Sequence, residues 1–198
     1  MVRGKIDSKE NNLKKIIKIL TILIILLAVY FVFFKLRIDK ILMKKIYPLK
    51  YMEYVEKYSK EYDIDKYLVY AIIKAESNFN ENAKSNRNAI GLMQIMEATA
   101  IEIAQKMEME ISEKELFEPE TNIKIGLKYF SELLEKYQNN YQMAIVAYNA
   151  GIGNVDKWIE KGTINFDGSN LENVPFEETE NYLRKIVRDY EIYKKLYN

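Results

Sequence analysis

The chain of 198 residues carries 30 lysines and arginines against 29 aspartates and glutamates, which gives a net charge of +1. This balance provides no overall attraction for a polyanion, and we expect no nucleic-acid partner. Neither cysteine nor histidine occurs, so disulfides, thiolate or imidazole metal sites and histidine-based catalytic triads are excluded.

An uncharged apolar run covers residues 19–34, near the N-terminus. Ile16 and Ile17 extend this run, since the ammonium group of Lys18 can reach the lipid headgroups. The segment then approaches the ~20 residues that span a bilayer. A cleaved signal peptide is the alternative, but basic residues follow the run where a small-residue cleavage site belongs. We therefore predict one transmembrane helix at residues 16–34, in contact with membrane lipid, between a basic tail at residues 1–15 and a short basic linker at residues 35–46.

The charges that flank this run do not orient it. Six lysines and arginines precede the run, and six follow it up to residue 50. The positive-inside rule needs an asymmetry between the two sides, and these counts offer none. The orientation must therefore be inferred from where a substrate lies.

Residues 47–198 are helical in pattern and show no convincing alternation of the kind that strands produce, which predicts an all-α domain. Pro48 suits a helix start, and Asp63 or Asp65 suits the cap of the following helix. Residues 77–91 are rich in asparagine and serine and predict a loop.

Helical periodicity returns after this loop. It predicts a helix over residues 92–107 and a longer one over residues 121–137. A short helix follows at residues 141–150 and is closed by Gly151, whose missing side chain allows the chain to leave the helix. A looser stretch then leads to the last helix, at residues 178–197.

Glu76 is a carboxylate in line with an apolar helix face, since Ile72 and Ile73 precede it by four and three residues. If that face borders a cleft, lost hydration and the negative end of the helix dipole both raise the pKa of Glu76. Such a group can act as a general acid. The alternative is a structural glutamate that pairs with a lysine or caps a loop, and periodicity alone does not decide between them.

Four sequence blocks follow one another in this part of the chain. They are ESNFNENAKSNRNAIGLMQIMEATA at residues 76–100, NIKIG at 122–126, AYNAG at 147–151 and PFEETENY at 175–182. Together they resemble the catalytic domain of soluble-type lytic transglycosylases, the lysozyme-like enzymes that cleave the glycan strands of peptidoglycan. The resemblance implies a lysozyme-like helical domain at residues 47–198, preceded by the one transmembrane helix.

The resemblance also implies roles for individual residues. Glu76 matches the catalytic acid of the family. The residues expected to bind substrate are Ser85, Gln94, Met96, Tyr148 and Glu178. Glu177 is an alternative to Glu178 because the two are adjacent. The remaining motif residues, Gly91, Asn149 and Gly151, are expected to be structural.

Some of these residues have plainer interpretations. Methionines at helical spacing, such as Met93 and Met96, are usually core residues. Tyr148 can serve packing alone, and Gln94 can brace a loop. Two positions depart from the usual family pattern: Asn88 replaces glycine, which asparagine tolerates better than most residues, and Glu97 replaces proline at a helix start, where an acidic side chain suits the helix dipole.

Conventional glycosidases use two carboxyl groups, whereas the resemblance implies a route with Glu76 alone. Glu76 protonates the β-1,4 glycosidic oxygen between N-acetylmuramic acid and N-acetylglucosamine, and then takes the proton of the muramyl C6 hydroxyl as a 1,6-anhydro ring closes. Neither a cofactor nor a metal ion is required. The rival functions are a lysozyme-type hydrolase, a catalytically silent glycan-binding scaffold, and a helical interaction module with chance motifs.

The resemblance also supplies the expected partner and location. The partner is the glycan strand of peptidoglycan, and the sequence gives no sign of any protein partner. Because this substrate lies outside the cytoplasm, we expect a single-pass protein of the cell membrane with its catalytic domain on the wall side and residues 1–15 in the cytoplasm.

Overall fold

The computed structural model describes residues 3–198, with side chains from Lys14 onward apart from Leu36. The chain divides after Pro48 into an N-terminal unit and a C-terminal unit, Leu49–Asn198. In the described residues nearly all regular structure is helical, and the only strands are two residues long each. The prediction of an all-α fold is confirmed.

The N-terminal unit contains helix α1, Arg3–Ile46, of 44 residues. Its segment Lys14–Ile46 is the one stretch of the described chain that is long and apolar enough to cross a membrane. Large apolar side chains such as Ile24 and Phe33 are exposed along it, at 66% and 65%. The helix continues without a break through residues 35–46, the segment predicted as a linker.

The C-terminal unit is built from seven α-helices, two 3₁₀ turns and a small hairpin in its described residues. The helices are α2 Met52–Glu61, α3 Lys66–Glu76, α4 Glu97–Lys106, α5 Pro119–Lys136, α6 Tyr141–Ala150, α7 Ile152–Glu160 and α8 Glu177–Tyr197. The 3₁₀ turns are Glu113–Phe117 and Leu171–Asn173. The strands are β1 Ala89–Ile90 and β2 Ile95–Met96, which pair in antiparallel fashion.

Local chemistry explains several helix starts. The Asp65 carboxylate accepts the Tyr67 N–H at 2.8 Å and caps α3, and Pro119 occupies the first position of α5, where its missing N–H costs nothing. Pro48 does not begin a helix, contrary to our prediction. Tyr51 adopts a left-handed conformation with φ of 56°, so α2 begins only after it.

The interior of this unit is organised around α3. Residues Leu68 to Ile73 of this helix are all buried, and α3 packs against α2 and α8, while α6 packs against α5 and α8. These six consecutive residues leave the middle of α3 without a solvent face for a charge, and its lysines, Lys66 and Lys74, lie on either side of them. Glu76 is the last residue of α3, and this position takes its carboxyl group out of the core and to a surface cleft.

Candidate active site

The Glu76 carboxyl group is half-buried, because one side opens to the cleft while protein atoms pack closely around the rest. Next to it, the Ser77 hydroxyl donates to the carbonyl oxygen of Leu92 at 2.8 Å. This hydrogen bond ties the end of α3 to the loop between β1 and β2. The helix and the hairpin therefore fix the position of Glu76 together.

Burial raises the pKa of Glu76 from 4.5 to about 7, because lost hydration disfavours the charged form. Two groups from α8 oppose this rise: the Tyr182 hydroxyl donates a hydrogen bond to the Glu76 carboxyl group, and the nearby Lys185 ammonium favours the carboxylate. The Lys185 ammonium also donates to the carbonyl oxygen of Ala75 at 3.1 Å. A carboxyl group with this pKa can both give and take a proton near neutral pH.

Glu76 lies in a cleft of about 370 Å³. The residues that line it are Glu76, Ser85, Asn86, Arg87, Ala89, Gln94, Met96, Tyr148, Asn149 and Glu178. The structure thus brings all five expected substrate-binding residues to one cleft with Glu76. Asn149, expected to be structural, also lines the cleft, whereas Gly91 and Gly151 are not among its lining residues.

The loop before β1 is braced by Ser85. Its hydroxyl oxygen accepts the N–H groups of Arg87 at 3.2 Å and Ala89 at 3.0 Å. Asn88 closes the turn with φ of 59°, a left-handed conformation that asparagine tolerates. Since the Ser85 oxygen is occupied as an acceptor, its O–H proton remains available to donate into the cleft.

Gln94 and Gly91 shape the hairpin turn. The Gln94 amide nitrogen donates to the carbonyl oxygens of Ala83 at 3.1 Å and Gly91 at 2.9 Å, which leaves the amide oxygen for a ligand. Gly91 has φ of 76°, and a Cβ atom there would collide with the Asn122 side chain. Gln94 therefore both braces the loop and lines the cleft.

Met96, Tyr148 and Glu178 form other parts of the wall. Met96 is 44% exposed, whereas Met93 is fully buried, so the core interpretation holds for Met93 alone. The Tyr148 hydroxyl donates to the carbonyl oxygen of Met93 at 2.8 Å, and this bond fixes the ring at the edge of the cleft. Of the two adjacent glutamates, Glu178 lines the cleft with Glu76 and Glu177 does not.

The two remaining motif residues connect helices. Gly151 ends α6 with φ of 82° and leads directly into α7. The Asn149 amide oxygen accepts the hydroxyl of Thr179 at 2.7 Å, so that it joins α6 to the start of α8. The Asn149–Thr179 hydrogen bond lies next to Glu178, which lines the cleft.

Sequence reasoning missed Tyr182, Lys185 and Asn122. Tyr182 and Lys185 follow Glu178 by four and seven residues, a helical spacing that places them on one face of α8. That spacing was a readable signal. Asn122 is fully buried; its amide oxygen accepts the Met93 N–H at 2.8 Å, and its amide nitrogen donates to the carbonyl oxygens of Ile90 and Leu116 at 2.9 and 2.7 Å.

No group of three or more metal-ligating side chains occurs among the residues whose side chains the structure describes. The chemistry of the site comes instead from the half-buried carboxyl group of Glu76 with Tyr182 and Lys185 next to it, at a polar cleft. This arrangement suits proton transfer to and from a ligand.

Comparison with known proteins gives the family. Residues 53–166 match the transglycosylase SLT domain. The chain is 34% identical over 148 residues to the soluble lytic murein transglycosylase of Salmonella typhimurium, a match that covers 73% of this chain and 23% of that protein. It is 36% identical over 116 residues to membrane-bound lytic murein transglycosylase C of Edwardsiella ictaluri. This match covers 54% of this chain and 32% of that protein.

A solved structure agrees with this. The X-ray structure of an inactive glutamate-to-glutamine variant of lytic transglycosylase Slt from Pseudomonas aeruginosa superimposes with a TM-score of 0.69 at 30% identity, over 75% of this chain and 24% of that one. The predicted lysozyme-like helical fold is confirmed. The chain spans about a quarter of the length of the soluble transglycosylases that it matches. It belongs to the transglycosylase SLT domain family.

Proposed function

We propose that this protein is a peptidoglycan lytic transglycosylase that cleaves the β-1,4 bond between N-acetylmuramic acid and N-acetylglucosamine. The observation that carries the proposal is the Glu76 carboxyl group, which has a pKa of about 7 and lies in a cleft of about 370 Å³. The likeness to proteins named lytic murein transglycosylases supports the choice of substrate.

In the proposed reaction Glu76 acts first as an acid and then as a base. Its proton goes to the glycosidic oxygen as the bond to the muramyl C1 breaks, and the N-acetylglucosamine hydroxyl leaves. The Glu76 carboxylate then takes the proton of the muramyl C6 hydroxyl while the C6 oxygen bonds to C1. The 1,6-anhydro ring closes without water, and Glu76 regains its proton.

A second candidate function is hydrolysis, because Glu178 is another carboxyl group that lines the same cleft. Two carboxyl groups on either side of a glycosidic bond can support hydrolysis by water, as in a lysozyme-type muramidase. The two reactions differ in their products. An anhydromuramyl end is one water lighter than an ordinary reducing end, so mass analysis of released muropeptides separates them.

Glu76→Gln tests the role of the acid. Glutamine keeps the size of the side chain but has no carboxyl proton to give, so cleavage should fall by ~10²–10⁴-fold while glycan binding and folding persist. Glu97→Gln is the matched control, because Glu97 is exposed and does not line the cleft. Good cleavage by Glu76→Gln would reject the mechanism, and binding without turnover in the wild type would indicate a silent scaffold.

We further propose that residues 16–34 anchor the protein in the cell membrane as a single-pass helix, with residues 47–198 on the wall side. Support comes from the apolar length of α1 and from relatives named membrane-bound. The wall side is proposed because peptidoglycan, the proposed substrate, lies outside the cytoplasm. Protease added to intact cells stripped of wall should remove the C-terminal domain; full protection of that domain would reverse the orientation.

A further inference from the structure

A cavity of about 340 Å³ lies at the far end of α3 from Glu76. We call it the tyrosine pocket; its lining includes Asp63, Asp65, Leu134, Asn139, Tyr141 and Tyr190. It shares no lining residue with the cleft that contains Glu76. Asp65 caps the start of α3 and Glu76 ends it, so the two cavities are separated by a helix that is ~16 Å long at ~1.5 Å per residue.

Three helices hold the walls of the tyrosine pocket in place. The Tyr190 hydroxyl of α8 donates to the Asp65 carboxylate at 2.7 Å, and the same carboxylate caps α3. The ring of Tyr141, from α6, packs edge-on against Tyr190, with centroids 5.9 Å apart and an interplanar angle of 72°. The pocket is therefore formed before a ligand binds, as most small-molecule sites are.

Asp63 and Asn139 are the polar groups that the tyrosine pocket leaves for a ligand. Both side chains are exposed, on left-handed backbone with φ of 52° and 63°. Among residues 14–198, leaving out Leu36, no cation pairs with the Asp63 carboxylate, and neither the Asp63 nor the Asn139 side chain makes a hydrogen bond. A carboxylate and an amide beside two aromatic rings are thus available together.

These groups suit an uncharged sugar better than an amine. The Lys194 ammonium already lies 4.2 Å from the centroid of the Tyr190 ring and pairs with Glu191 at 2.6 Å, so the ring has its cation. A sugar uses what remains. Its hydroxyls donate to a carboxylate and both donate to and accept from an amide, while its C–H face packs against an aromatic ring.

We propose that the tyrosine pocket is a non-catalytic binding site for the sugars of a glycan strand. The proposal rests on the proposed function, since it takes the substrate to be a glycan polymer. A polymer repeats its sugars, so one stretch can occupy the cleft while another stretch occupies the pocket. Two linked contacts raise the effective concentration of glycan at Glu76. The pocket therefore retains the enzyme on long glycan and leaves the chemistry at Glu76 unchanged.

The first test removes both free polar side chains with the double substitution Asp63→Gly and Asn139→Gly, because glycine keeps a left-handed backbone without strain. The matched control is Glu108→Gly with Gln138→Gly. It removes a carboxylate and an amide from exposed residues with φ of 54° and 53° that line neither cavity.

Cleavage is measured on sacculi and on a tetrasaccharide with one cleavable bond, which is too short to reach round the domain from the cleft to the pocket. The pocket variant should lose about tenfold in kcat/KM on sacculi, equivalent to ~1.4 kcal/mol, and none on the tetrasaccharide. The control should match the wild type on both substrates. An equal loss on both substrates, or no loss on sacculi, overturns the proposal.

The second test needs no cleavage and offers sugar alone. Fluorescent glycan strands, stripped of peptide by an amidase, are titrated into the full-length Glu76→Gln protein in detergent, and anisotropy gives the affinity. The two pocket substitutions in this background should weaken binding about tenfold, and the two control substitutions should not. Equal affinities would show that the pocket does not bind sugar and overturn the proposal. If the wild type cleaves neither substrate, the proposed function is rejected, and this titration still decides the pocket.

Discussion

The Glu76 carboxyl group is held between opposing influences. Burial favours its protonated form, and the Tyr182 hydroxyl and the Lys185 ammonium favour its charged form. The resulting pKa of about 7 lies far above that of an exposed glutamate and close to the pH of neutral surroundings. An acid in the first step that must be a base in the second works best with such a value.

The pH dependence of cleavage follows from this pKa. The first step needs protonated Glu76 in the free enzyme, so kcat/KM should be high below about pH 7 and fall as the pH rises through that value. Its alkaline limb should lose about tenfold per pH unit. Rates on soluble glycan from pH 3.5 to pH 9 give the profile. A limb near pH 4.5 would show that Glu76 titrates as an exposed carboxyl group.

Substitution of Lys185 should shift the alkaline limb of the kcat/KM profile. Lys185→Met removes the cation that stabilises the Glu76 carboxylate, so the pKa of Glu76 should rise and the alkaline limb should move upward by roughly half a unit to one unit. Lys185→Arg keeps the charge and should restore the wild-type profile. The other charged or titratable groups at the site are Arg87, Tyr148, Tyr182 and Glu178. If Lys185→Met lowers the rate equally at every pH, Lys185 has only a structural role.

At the scale of elements, the hairpin of β1 and β2 depends on α5. The fully buried Asn122 of α5 makes three hydrogen bonds to the backbone of residues 90, 93 and 116. One bond goes to Ile90 in β1, one to Met93 in the hairpin loop and one to Leu116 in the 3₁₀ turn, so Asn122 joins these three segments to α5. The cleft floor is therefore anchored to a long helix through one amide.

Asn122→Ala should accordingly destabilise the domain. It leaves buried backbone groups of the hairpin loop without partners, at a cost of ~2–4 kcal/mol in the free energy of unfolding. Urea denaturation measures the loss, and cleavage should fall as well because Gln94 loses its support. Gln105→Ala, at an exposed position of α4, is the control and should change stability by less than ~0.5 kcal/mol. A stable Asn122→Ala protein would show that the loop is held by other contacts.

Sequence patterns predicted the long elements well. The helices expected at residues 121–137, 141–150 and 178–197 correspond closely to α5, α6 and α8, because burial along one face imposes a period that survives in the sequence. The helix expected over residues 92–107 begins only at Glu97, since the preceding residues form the hairpin. Strands of two residues are too short to show alternation.

The motif blocks identified the residues of the candidate site, but they did not show the roles that arise only from contacts made in the fold. Glu76 and the five expected groove residues lie in one cleft. Tyr182 reaches Glu76 across 106 positions of the sequence, and nothing local to either residue indicates that hydrogen bond. Asn122 begins the NIKIG block, but its hydrogen bonds to the hairpin are seen only in the structure.

At the scale of the whole molecule, the chain combines an apolar helix with a domain that has its own core. Helix α1 exposes its apolar side chains, whereas the unit Leu49–Asn198 buries the central residues of α3, α5 and α6. These are opposite solvent preferences. They fit our proposal that one part of the chain resides in lipid and the other acts in water.

The final prediction concerns how far the proposed enzyme reaches from the membrane. Residues 35–46 are helical, so they extend ~18 Å at ~1.5 Å per residue. With the anchor at residues 16–34, cleavage should be confined to glycan close to the membrane. A flexible Gly-Ser insertion of twenty residues after Ile46 should extend cleavage outward, because a coil of that length adds roughly 25 Å of mean reach. An insertion of the same length before residue 14 is the control. Equal digestion of distal glycan with the native segment, measured on isolated sacculi layered over membrane-bound protein, would contradict the idea.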